Sequence, residues 1–542
     1  MDNQVISITP PDTPWQDIEE YIPDGYSLDH TWLSYLKNDG TQEPISGPCW
    51  IRAYTCNKNK DEWGFIVHWL DIDGNEHFHA FPQRILHEQS NPIIGVLASR
   101  GLRINSNKKR RLIDYLSSFD LPHRARSVSK IGWHEETAIS RLYVLPNEII
   151  GSQGSEEVIF QPEAYSPTVE SIHSKGRLED WKAHVAEPCN DNSLLIFSLC
   201  SALSAPLIKP LGHEGGGFHI YGKSSKGKTT ALQVAASVWG SGVDPSSSDD
   251  SFVQKWSTTG NASEAINMAH NDCLQVRDEI GTCDEKKFEK MIYDTFGGIS
   301  KSRMDRSCAL MKPKQWTAWL LSSGEISIRQ KIEEISKKPM LDGLAVRLVD
   351  VPIGKSVISN PHAQPPAQFV NNLKKACGLS YGTAGPAFLR KLLAWENNCH
   401  LLSYRLEEKM KTAYAALTED LPLEETQARV IQRFAIVAVA GELAYDFGIT
   451  PFTPQEVLQA INLIQNRWLS EDSNKPEEIK GLIQLQEYIQ ANLSNFAPFD
   501  TTSEGMKYYR NLAGYTKTEA GEKLFLFPNE TMRAACTGIS QN

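Results

Sequence analysis

The stretch that decides the fold lies near the middle of the chain and reads Gly222-Lys223-Ser224-Ser225-Lys226-Gly227-Lys228-Thr229. It matches the pattern G-x-x-x-x-G-K-[ST], follows the apolar run 218–221 and leads into helix-forming residues that begin at Thr230. A strand, a glycine-rich loop and a helix in this order are typical of a phosphate-binding loop, whose backbone N–H groups point at phosphate oxygens. Residues 222–230 therefore predict a site for ATP or another nucleoside triphosphate.

The same chemistry needs a metal ion and a base. Lys228 would supply positive charge to the β- and γ-phosphates, and the Thr229 hydroxyl is a ligand for Mg²⁺. Residues 273–279 read Cys-Leu-Gln-Val-Arg-Asp-Glu, a short strand that ends in two acids. We expect Asp278 to complete the Mg²⁺ coordination and Glu279 to act as general base toward the attacking water. Two solvated acids at a strand end are the alternative.

Two later segments carry candidate partners of the γ-phosphate. Residues 316–325 have the pattern of a buried strand that ends in small polar residues. In P-loop ATPases with an additional strand, this strand carries a polar sensor, so Ser322 or Ser323 is the candidate. Residues 346–352 predict a further strand with Arg347 among apolar residues, and in ring ATPases such an arginine reaches a neighbour's γ-phosphate. A salt bridge to a local carboxylate is the alternative for Arg347.

These segments resemble a known family, the domain of unknown function 927. The resemblance covers roughly residues 45–450 and is carried by segments 217–232, 235–240, 271–272, 322–327, 346–348, 101–104 and 131–134. It implies an AAA+-like or superfamily-3-like replicative helicase of a mobile genetic element such as a phage, plasmid or genomic island. Members of this kind assemble as rings, most often hexamers, and are often carried beside a primase. They continue beyond residues 523–528 with a further helix and strand, so we expect a shortened last domain here.

Composition and charge limit the class of protein. The chain has 542 residues, which is too long for one hydrophobic core, and a net charge of −11. Its ten cysteines form no C-x-x-C pair, which favours a reducing, cytoplasmic compartment and predicts neither a zinc site nor a disulfide framework. The N-terminus lacks the pattern of a signal peptide, and the apolar run 194–206 is too short to span a membrane. We therefore expect no membrane association.

The negative net charge means that contacts with nucleic acid must be local. One basic cluster consists of Arg103, Lys108, Lys109, Arg110, Arg111, His123, Arg124, Arg126 and Lys130, and a solvated helix face is its favoured interpretation. The other consists of Lys301, Arg303 and Arg306, which follow a glycine pair. This second cluster lies where superfamily 3 helicases insert a DNA-tracking hairpin. We predict contact with single-stranded or forked DNA there, with a phosphate contact to a neighbour or plain surface charge as alternatives.

The pattern along the chain predicts an α/β protein with several domains. Residues 1–39 read as a flexible arm, 40–165 as a β-rich N-terminal domain with one helix near 107–118, and 166–360 as the P-loop NTPase core. Residues 361–470 read as a helical lid, in which Arg429 or Arg433 is either a second sensor or ordinary helix-surface charge. Residues 471–542 read as a linker and a partial winged-helix-like module.

The resulting hypothesis is an ATP-hydrolysing, ring-forming DNA helicase that acts in the replication of a mobile element. Two alternatives remain at this stage. One is an NTP-dependent assembly switch or antiviral defence ATPase that does not unwind DNA. The other is a nucleic-acid-binding scaffold with feeble ATPase activity. Stimulation of ATP turnover by single-stranded DNA distinguishes a translocase from both.

Overall fold

The structure of the protein is a computed structural model of a mixed α/β chain. It describes residues 15–88, 91–137, 140–151, 156–162, 167–248, 250–256, 260–283, 288–304, 310, 313–337, 340–395, 399–419, 421, 423–471, 484–486, 488–499, 512–519 and 522–535. None of the helices in these ranges has the length and apolarity needed to cross a membrane.

The N-terminal part of the chain consists mainly of β-strands in three sheets. The strands are β1 (Tyr26–Leu28), β2 (Leu33–Leu36), β3 (Gln42–Ser46), β4 (Cys49–Cys56), β5 (Gly64–Leu70), β6 (Glu76–Pro82), β7 (Arg124–Val128), β8 (Gly132–Thr137), β9 (Ser140–Val144), β10 (Ile149–Gly151) and β11 (Val158–Phe160). The sheet orders are β1-β2-β3, β10-β9-β8 and β11-β7-β4-β5-β6. Helices α1 (Pro92–Ser99) and α2 (Lys109–Ser117) and 3-10 turns Gln16–Tyr21, Gln83–His87 and Ser106–Lys108 complete this part.

Two features of this part differ from the sequence prediction. From residue 15 onward, the segment expected to be a flexible arm forms a 3-10 turn and two strands. Trp15, Ile18 and Leu33 are buried in the core of the N-terminal part, and this apolar burial holds the segment in place. Helix α1 was also not predicted, because its run of apolar residues lacks a clear amphipathic period.

A helical bridge leads into a five-stranded sheet. The bridge contains α3 (Pro167–Glu170), α4 (Leu178–Trp181), a π-helical turn (Lys182–Ala186), α5 (Ser193–Ser204) and 3-10 turns Glu187–Cys189 and Ala205–Leu207. The core then contains β12 (Gly216–Tyr221), α6 (Lys228–Ala236), β13 (Gln254–Lys255), α7 (Gly260–Ala269), β14 (Leu274–Asp278), the 3-10 turn Ile280–Thr282, α8 (Phe288–Gly297), β15 (Trp319–Gly324), α9 (Ile328–Ser336), α10 (Asp342–Arg347) and β16 (Leu348–Pro352).

All neighbouring strands of the core sheet run parallel, in the order β13-β14-β15-β12-β16. Strand β15 is fully buried and β12 nearly so, as expected for central strands covered by helices on both faces. On one face the ring of Phe218 lies 4.9 Å from that of Phe197 in α5. On the other face Leu320 and Leu348 belong to a separate apolar cluster with α8, α9 and α10. Other elements therefore cover both faces of the sheet, and the two ends of its parallel strands remain for function. We call the side where the strands end the carboxyl edge and the side where they begin the amino edge.

Between the core and residue 471, the described residues form five helices, and a small sheet and a short helix lie near the end of the chain. The helices are α11 (Pro366–Leu379), α12 (Ala384–Trp395), α13 (Cys399–Thr418), α14 (Glu425–Asp446) and α15 (Pro454–Ser470). Helix α15 begins at a capping box between Thr453 and Glu456, with Pro454 in its first turn. The last elements are the 3-10 turn Leu493–Asn495, β17 (Phe496–Pro498), β18 (Gly514–Glu519), β19 (Glu522–Leu526) and a helix, Asn529–Ala535.

Candidate functional site

The glycine-rich loop 222–227 connects the end of β12 to the start of α6. Gly227 caps α6 with a left-handed φ of 93°, and Gly222 has a φ of 150°, so both positions favour a residue without Cβ. The Lys228 ammonium donates to the carbonyls of Gly222 and Lys223, at 2.7 and 2.8 Å. Its side chain is 9% exposed, and burial lowers its pKa while nearby carboxylates oppose the shift. The loop thus holds a partly desolvated cation at the N-terminus of a helix, which favours an anion.

The two predicted acids lie at the end of β14, beside the loop. The Thr229 hydroxyl donates to Asp278 Oδ2 at 3.1 Å, and the Ser323 hydroxyl donates to Asp278 Oδ1. The next residue, Glu279, has a left-handed φ of 62°, uncommon for a residue other than glycine, and its exposed side chain lines the same cleft. The segment that follows β12, the end of β14 and the end of β15 therefore meet at Asp278.

The two candidate sensor serines point to opposite sides of β15, because successive side chains alternate along a strand. Ser323 contacts Asp278 and lines the cleft. Ser322 lies in the interior, with its oxygen 2.6 Å from His219 Nδ1. The other ring nitrogen of His219 lies 3.0 Å from the Ile326 carbonyl, which can only accept, so Nε2 carries the proton and Ser322 donates to Nδ1. Of the two serines, Ser323 has the geometry of a sensor.

A cleft of 790 Å³ opens above these groups. Its lining includes residues 224–230, Asp278, Glu279, 323–325, Ser356, Ile358, Ser359, Pro361, Pro366, Ala367, Val370, Asn371 and Lys374. Sequence reasoning missed Glu325, Lys374 and the segment 356–361. Glu325 ends the strand motif 316–325, and Lys374 lies in helix α11. The segment 356–361 follows β16 in an irregular connection without a local signal. The first turns of α11 therefore form one wall of the cleft.

The residues present fit a divalent cation of the Mg²⁺ type. Such an ion prefers hard oxygen ligands and retains several waters. Thr229 Oγ1 and Asp278 Oδ2 supply two oxygens that already point at the same place, next to the phosphate-binding loop. Both residues are those that the sequence predicted as ligands.

Arg347 lies at the opposite edge of the sheet. It is the last residue of α10, and its guanidinium donates to the Gly343 carbonyl at 2.9 Å, one helical turn earlier. It also lies 5.4 Å from the centre of the Tyr293 ring. The prediction of a strand at 346–352 is therefore corrected at its start, since β16 begins only at Leu348. No carboxylate partner of Arg347 is present among the described residues.

The second basic cluster lies on a hairpin. Bridges join Ile299 to Gln315 and Met304 to Leu310. We name the described residues 298–304, 310 and 313–316 the hairpin, and its two ends, 298–300 and 313–316, the hairpin root. Lys301 lies 3.4 Å from Asp294 and 3.7 Å from Glu264, and Arg303 lies 2.7 Å from Glu264. Lys301 and Arg303 are thus in ion-pair contact with acids of helices α7 and α8. Arg306 lies outside the described residues.

The remaining predicted cations do not reach the cleft. In the N-terminal cluster, Arg103, Arg111 and Arg124 are exposed, and each lies over an aromatic ring of the same part of the chain. In α14, Arg433 is 4% exposed and donates to the carbonyls of Val346 and Gly215, so it is not helix-surface charge. Arg429 is partly exposed and lies 3.7 Å from Glu214. Both α14 arginines lie near the start of β12, far from the phosphate-binding loop.

The fold is similar to that of a solved structure, and the sequence matches a known family. A solved structure described as SCCmec type IV Cch, an active helicase, superposes with a TM-score of 0.62 over 94% of this chain and 90% of that chain, at 18% identity. The apo A form of the NrS-1 C-terminal region has a TM-score of 0.28 and 10% identity over 73% of this chain and 90% of that one, too low to carry an argument. No curated protein sequence matches. The family described as domain of unknown function (DUF927) matches residues 28–315, more than half of the 542 residues, and the chain belongs to that family.

Proposed function

We propose that this protein is an ATP-hydrolysing, ring-forming DNA helicase that acts in the replication of a mobile genetic element. The observation that carries the proposal is the convergence of Lys228, Thr229, Asp278, Glu279 and Ser323 in one cleft at the carboxyl edge of a parallel sheet. Ligands of open α/β sheets bind at this edge. The fold likeness to a helicase and the family membership agree with the proposal.

The strand order supports a P-loop NTPase core of the AAA+ or superfamily 3 type. Strand β15 lies between β12, which leads to the loop, and β14, which ends in the acids. This is the additional strand that the sequence pattern predicts, and it brings Ser323 between the loop and Asp278. A simpler order, with β12 beside β14, would leave no residue in the position of a sensor.

Hydrolysis follows from the groups that line the cleft. The Lys228 ammonium would exchange its two carbonyl acceptors for β- and γ-phosphate oxygens, and the loop N–H groups would bind the remaining oxygens. Glu279 takes a proton from water as the water oxygen bonds to the γ-phosphorus, and the bond from that phosphorus to the bridging oxygen of ADP breaks. Thr229 and Asp278 would hold Mg²⁺, which when bound would supply positive charge against the phosphates. Ser323 fixes the Asp278 carboxylate for that role.

A ring is supported by the position of Arg347. Strand β16, five residues long, separates Arg347 from the level of its own phosphate-binding loop. At ~3.3 Å per residue this distance is about 17 Å, more than an arginine side chain can span. Arg347 therefore cannot complete the cleft of its own chain, but it could complete that of a neighbour. A hexamer is the ring size that the family resemblance favours.

Contact with single-stranded or forked DNA is proposed for the hairpin. Three apolar residues in the described part of the hairpin are exposed, Ile299 at 49%, Met304 at 66% and Leu310 at 75%. The sequence adds Lys301 and Arg303 in the described part and Arg306 outside it, and these three cations are the proposed DNA contacts. We also propose that residues 471–542 include a partial winged-helix module, and that a primase is a partner. An exposed hairpin with both apolar and cationic residues can follow a DNA strand in a pore.

The experiment that tests the proposal combines fork unwinding with native mass measurement. Purified protein is mixed with ATP, Mg²⁺ and a labelled forked duplex, and strand release is followed while the mass of the assembly is measured. We expect release that needs ATP and an assembly of several chains. ATP hydrolysis without strand release would instead favour an NTP-dependent switch.

A further inference from the structure

A second concave site lies between the N-terminal part and the root of the hairpin. It has a volume of 550 Å³. One wall carries Lys58, Arg126 and Lys130, and the other carries Lys314 and Gln315. We name it the interdomain groove. It lies outside the cleft that contains the phosphate-binding loop, and neither part of the chain forms it alone.

The charge of the interdomain groove is opposite to that of the protein. Lys58, Arg126, Lys130 and Lys314 line it, and of the described residues only Glu62 contributes a carboxylate to the lining. Arg126 also pairs with Glu156, at 3.2 Å, beyond the lining, Lys58 donates to the Glu135 carbonyl, and Lys58 and Lys314 have further partners. In a chain with a net charge of −11, four cations around one concavity indicate an anionic ligand.

Lys130 is the cation whose contact joins the two walls of the groove. Its ammonium donates to the Gln315 carbonyl at 3.3 Å across the groove. Burial lowers the pKa of Lys130, and Lys209 adds to the shift while Asp272 opposes it. The pKa of His134 is also lowered, first by burial, so this ring adds no charge at neutral pH. A phosphate in the groove would give the desolvated ammonium of Lys130 a charged partner.

The interdomain groove continues along the hairpin root. Lys130 and Gln315 also line a neighbouring depression of 410 Å³, which contains Lys209 and reaches Arg347. Phe296 and Trp316 in that depression are only 7% and 5% exposed, so neither ring is available for a base to stack on. The lysines along this path can therefore bind the phosphates of a nucleic acid, whereas neither Phe296 nor Trp316 provides a ring on which a base could stack.

We propose that the interdomain groove binds the sugar–phosphate backbone of single-stranded DNA next to the hairpin. This inference rests on the proposed function, since it assigns a further site to the same DNA substrate. A concave path lined by lysines suits one flexible strand, whose phosphates can follow it. Because the described lining exposes no Phe, Tyr or Trp ring, binding is independent of sequence and depends strongly on salt.

Bound DNA would be linked to the catalytic strands through Asn271 and Asp272. The Trp133 N–H of β8 donates to Asp272 Oδ2 at 3.0 Å, and Asn271 Nδ2 donates to the Ile131 carbonyl at 2.7 Å. Asn271 Oδ1 also accepts the N–H of Thr317 at 2.9 Å, two residues before β15. The groove wall that carries Lys130 is thus bonded to the segments that precede β14 and β15, the two strands that carry Asp278 and Ser323.

The test measures DNA binding by the full chain without nucleotide, so that it does not depend on hydrolysis. Anisotropy of labelled 30-nucleotide oligo-dT and of a mixed-sequence oligonucleotide is titrated from 50 to 200 mM salt. The variant Lys58→Gln/Lys314→Gln removes one cation from each wall. The control Lys391→Gln/Lys411→Gln removes the same charge from exposed lid positions.

We expect the groove variant to lose affinity on the order of tenfold. Its plot of log affinity against log salt should flatten by about 1.4, because each lost phosphate contact on a single strand contributes ~0.7 to the slope. The control should match the wild type on both oligonucleotides. The variant Lys58→Arg/Lys314→Arg should restore affinity, which separates loss of charge from loss of fold.

Equal affinity and slope in the groove variant and the control would overturn the proposal, as would failure of the arginine variant to restore binding. If the wild type hydrolyses no ATP while binding still depends on the two lysines, the proposed function fails and the groove stands. If the wild type unwinds forks while the groove variant binds as the control does, the groove alone fails.

Discussion

The two edges of the core sheet are built in different ways. At the carboxyl edge, the phosphate-binding loop, Asp278, Glu279 and Ser323 come from short motifs that each follow directly on a strand. At the amino edge, Arg347, Lys209 and Arg433 come from a helix end, a loop and a distant lid helix, and the hairpin and the N-terminal part add Lys314 and Lys130.

This difference has a physical origin. Parallel strands deliver consecutive residues to one edge, so chemistry placed there is local in sequence. The side chains at the amino edge come from segments that are distant in sequence. They are therefore brought together only by tertiary packing. We infer that ATP is hydrolysed at the carboxyl edge. We infer that the amino edge contacts a neighbouring chain and DNA.

The largest expected effect comes from removing the general base at the carboxyl edge. Glu279→Gln should still bind ATP but stop its cleavage, because an amide can hydrogen-bond water and cannot accept its proton. ATP binding and single-turnover hydrolysis measure the two steps separately. Glu325→Gln is the matched control, since it removes another carboxylate from the same cleft. Loss of hydrolysis only in the control would mean that the base is Glu325.

The next effect tests the amino edge. Arg347→Ala should bind ATP normally and lose roughly a thousandfold in turnover if its guanidinium completes a neighbour's cleft. Mixing it with Lys228→Ala should restore part of the activity, because some interfaces then pair an intact Lys228 with an intact Arg347. Arg429→Ala, at the same edge, should lose little, since a partly exposed ion pair contributes ~0–1 kcal/mol. A mixture without activity at every ratio would leave Arg347 a structural residue.

A smaller effect separates the two serines of β15. Ser323→Ala should lower turnover roughly 10- to 100-fold, because a hydrogen bond to a charged group contributes ~1.5–3 kcal/mol. Ser322→Ala should instead lower the free energy of unfolding by about 1–3 kcal/mol, because it leaves His219 Nδ1 buried without a donor. Steady-state kinetics and urea unfolding are compared for both variants. A catalytic loss confined to Ser322→Ala would reverse the sensor assignment.

The smallest effect concerns pH. Burial lowers the pKa of His219 to about 4 from its usual 6.5, so its contribution to stability is present above pH 6.5 and is lost as pH falls toward 4. From pH 7 to pH 5 the difference in unfolding free energy between wild type and His219→Gln should shrink by about 2 kcal/mol. The pKa of Asp350, raised by burial to about 7, acts in both proteins and cancels in the difference. A constant difference would show that His219 does not titrate in this way.

The sequence predicted much of the carboxyl edge because its motifs are contiguous. Residues 222–230, Asp278 and Glu279 lie next to one another in the structure, and β12, β14 and β15 lie where the apolar runs predict strands. Ser322 and Ser323 could not be separated from sequence, since only the strand register decides which of them faces the cleft.

The sequence predicted less of the amino edge. Arg347 read as a strand residue because helix α10 is short and apolar and runs directly into β16. Arg126 and Lys130 read as part of a solvated face, and only tertiary structure places them opposite Lys314. Likewise, the segment from Trp15 to Leu36 looked polar and loose, and a few buried side chains fix it to the N-terminal part.

The measurement that tests the central claim most directly is the rate of ATP hydrolysis with and without single-stranded DNA. The wild type is assayed beside Lys228→Ala, whose cleft lacks the fixed charge for the β- and γ-phosphates, and beside Lys391→Ala as a control for an exposed lysine. We predict turnover that rises with DNA in the wild type and in Lys391→Ala and is absent from Lys228→Ala. Turnover that DNA leaves unchanged, or that survives in Lys228→Ala, would contradict the account.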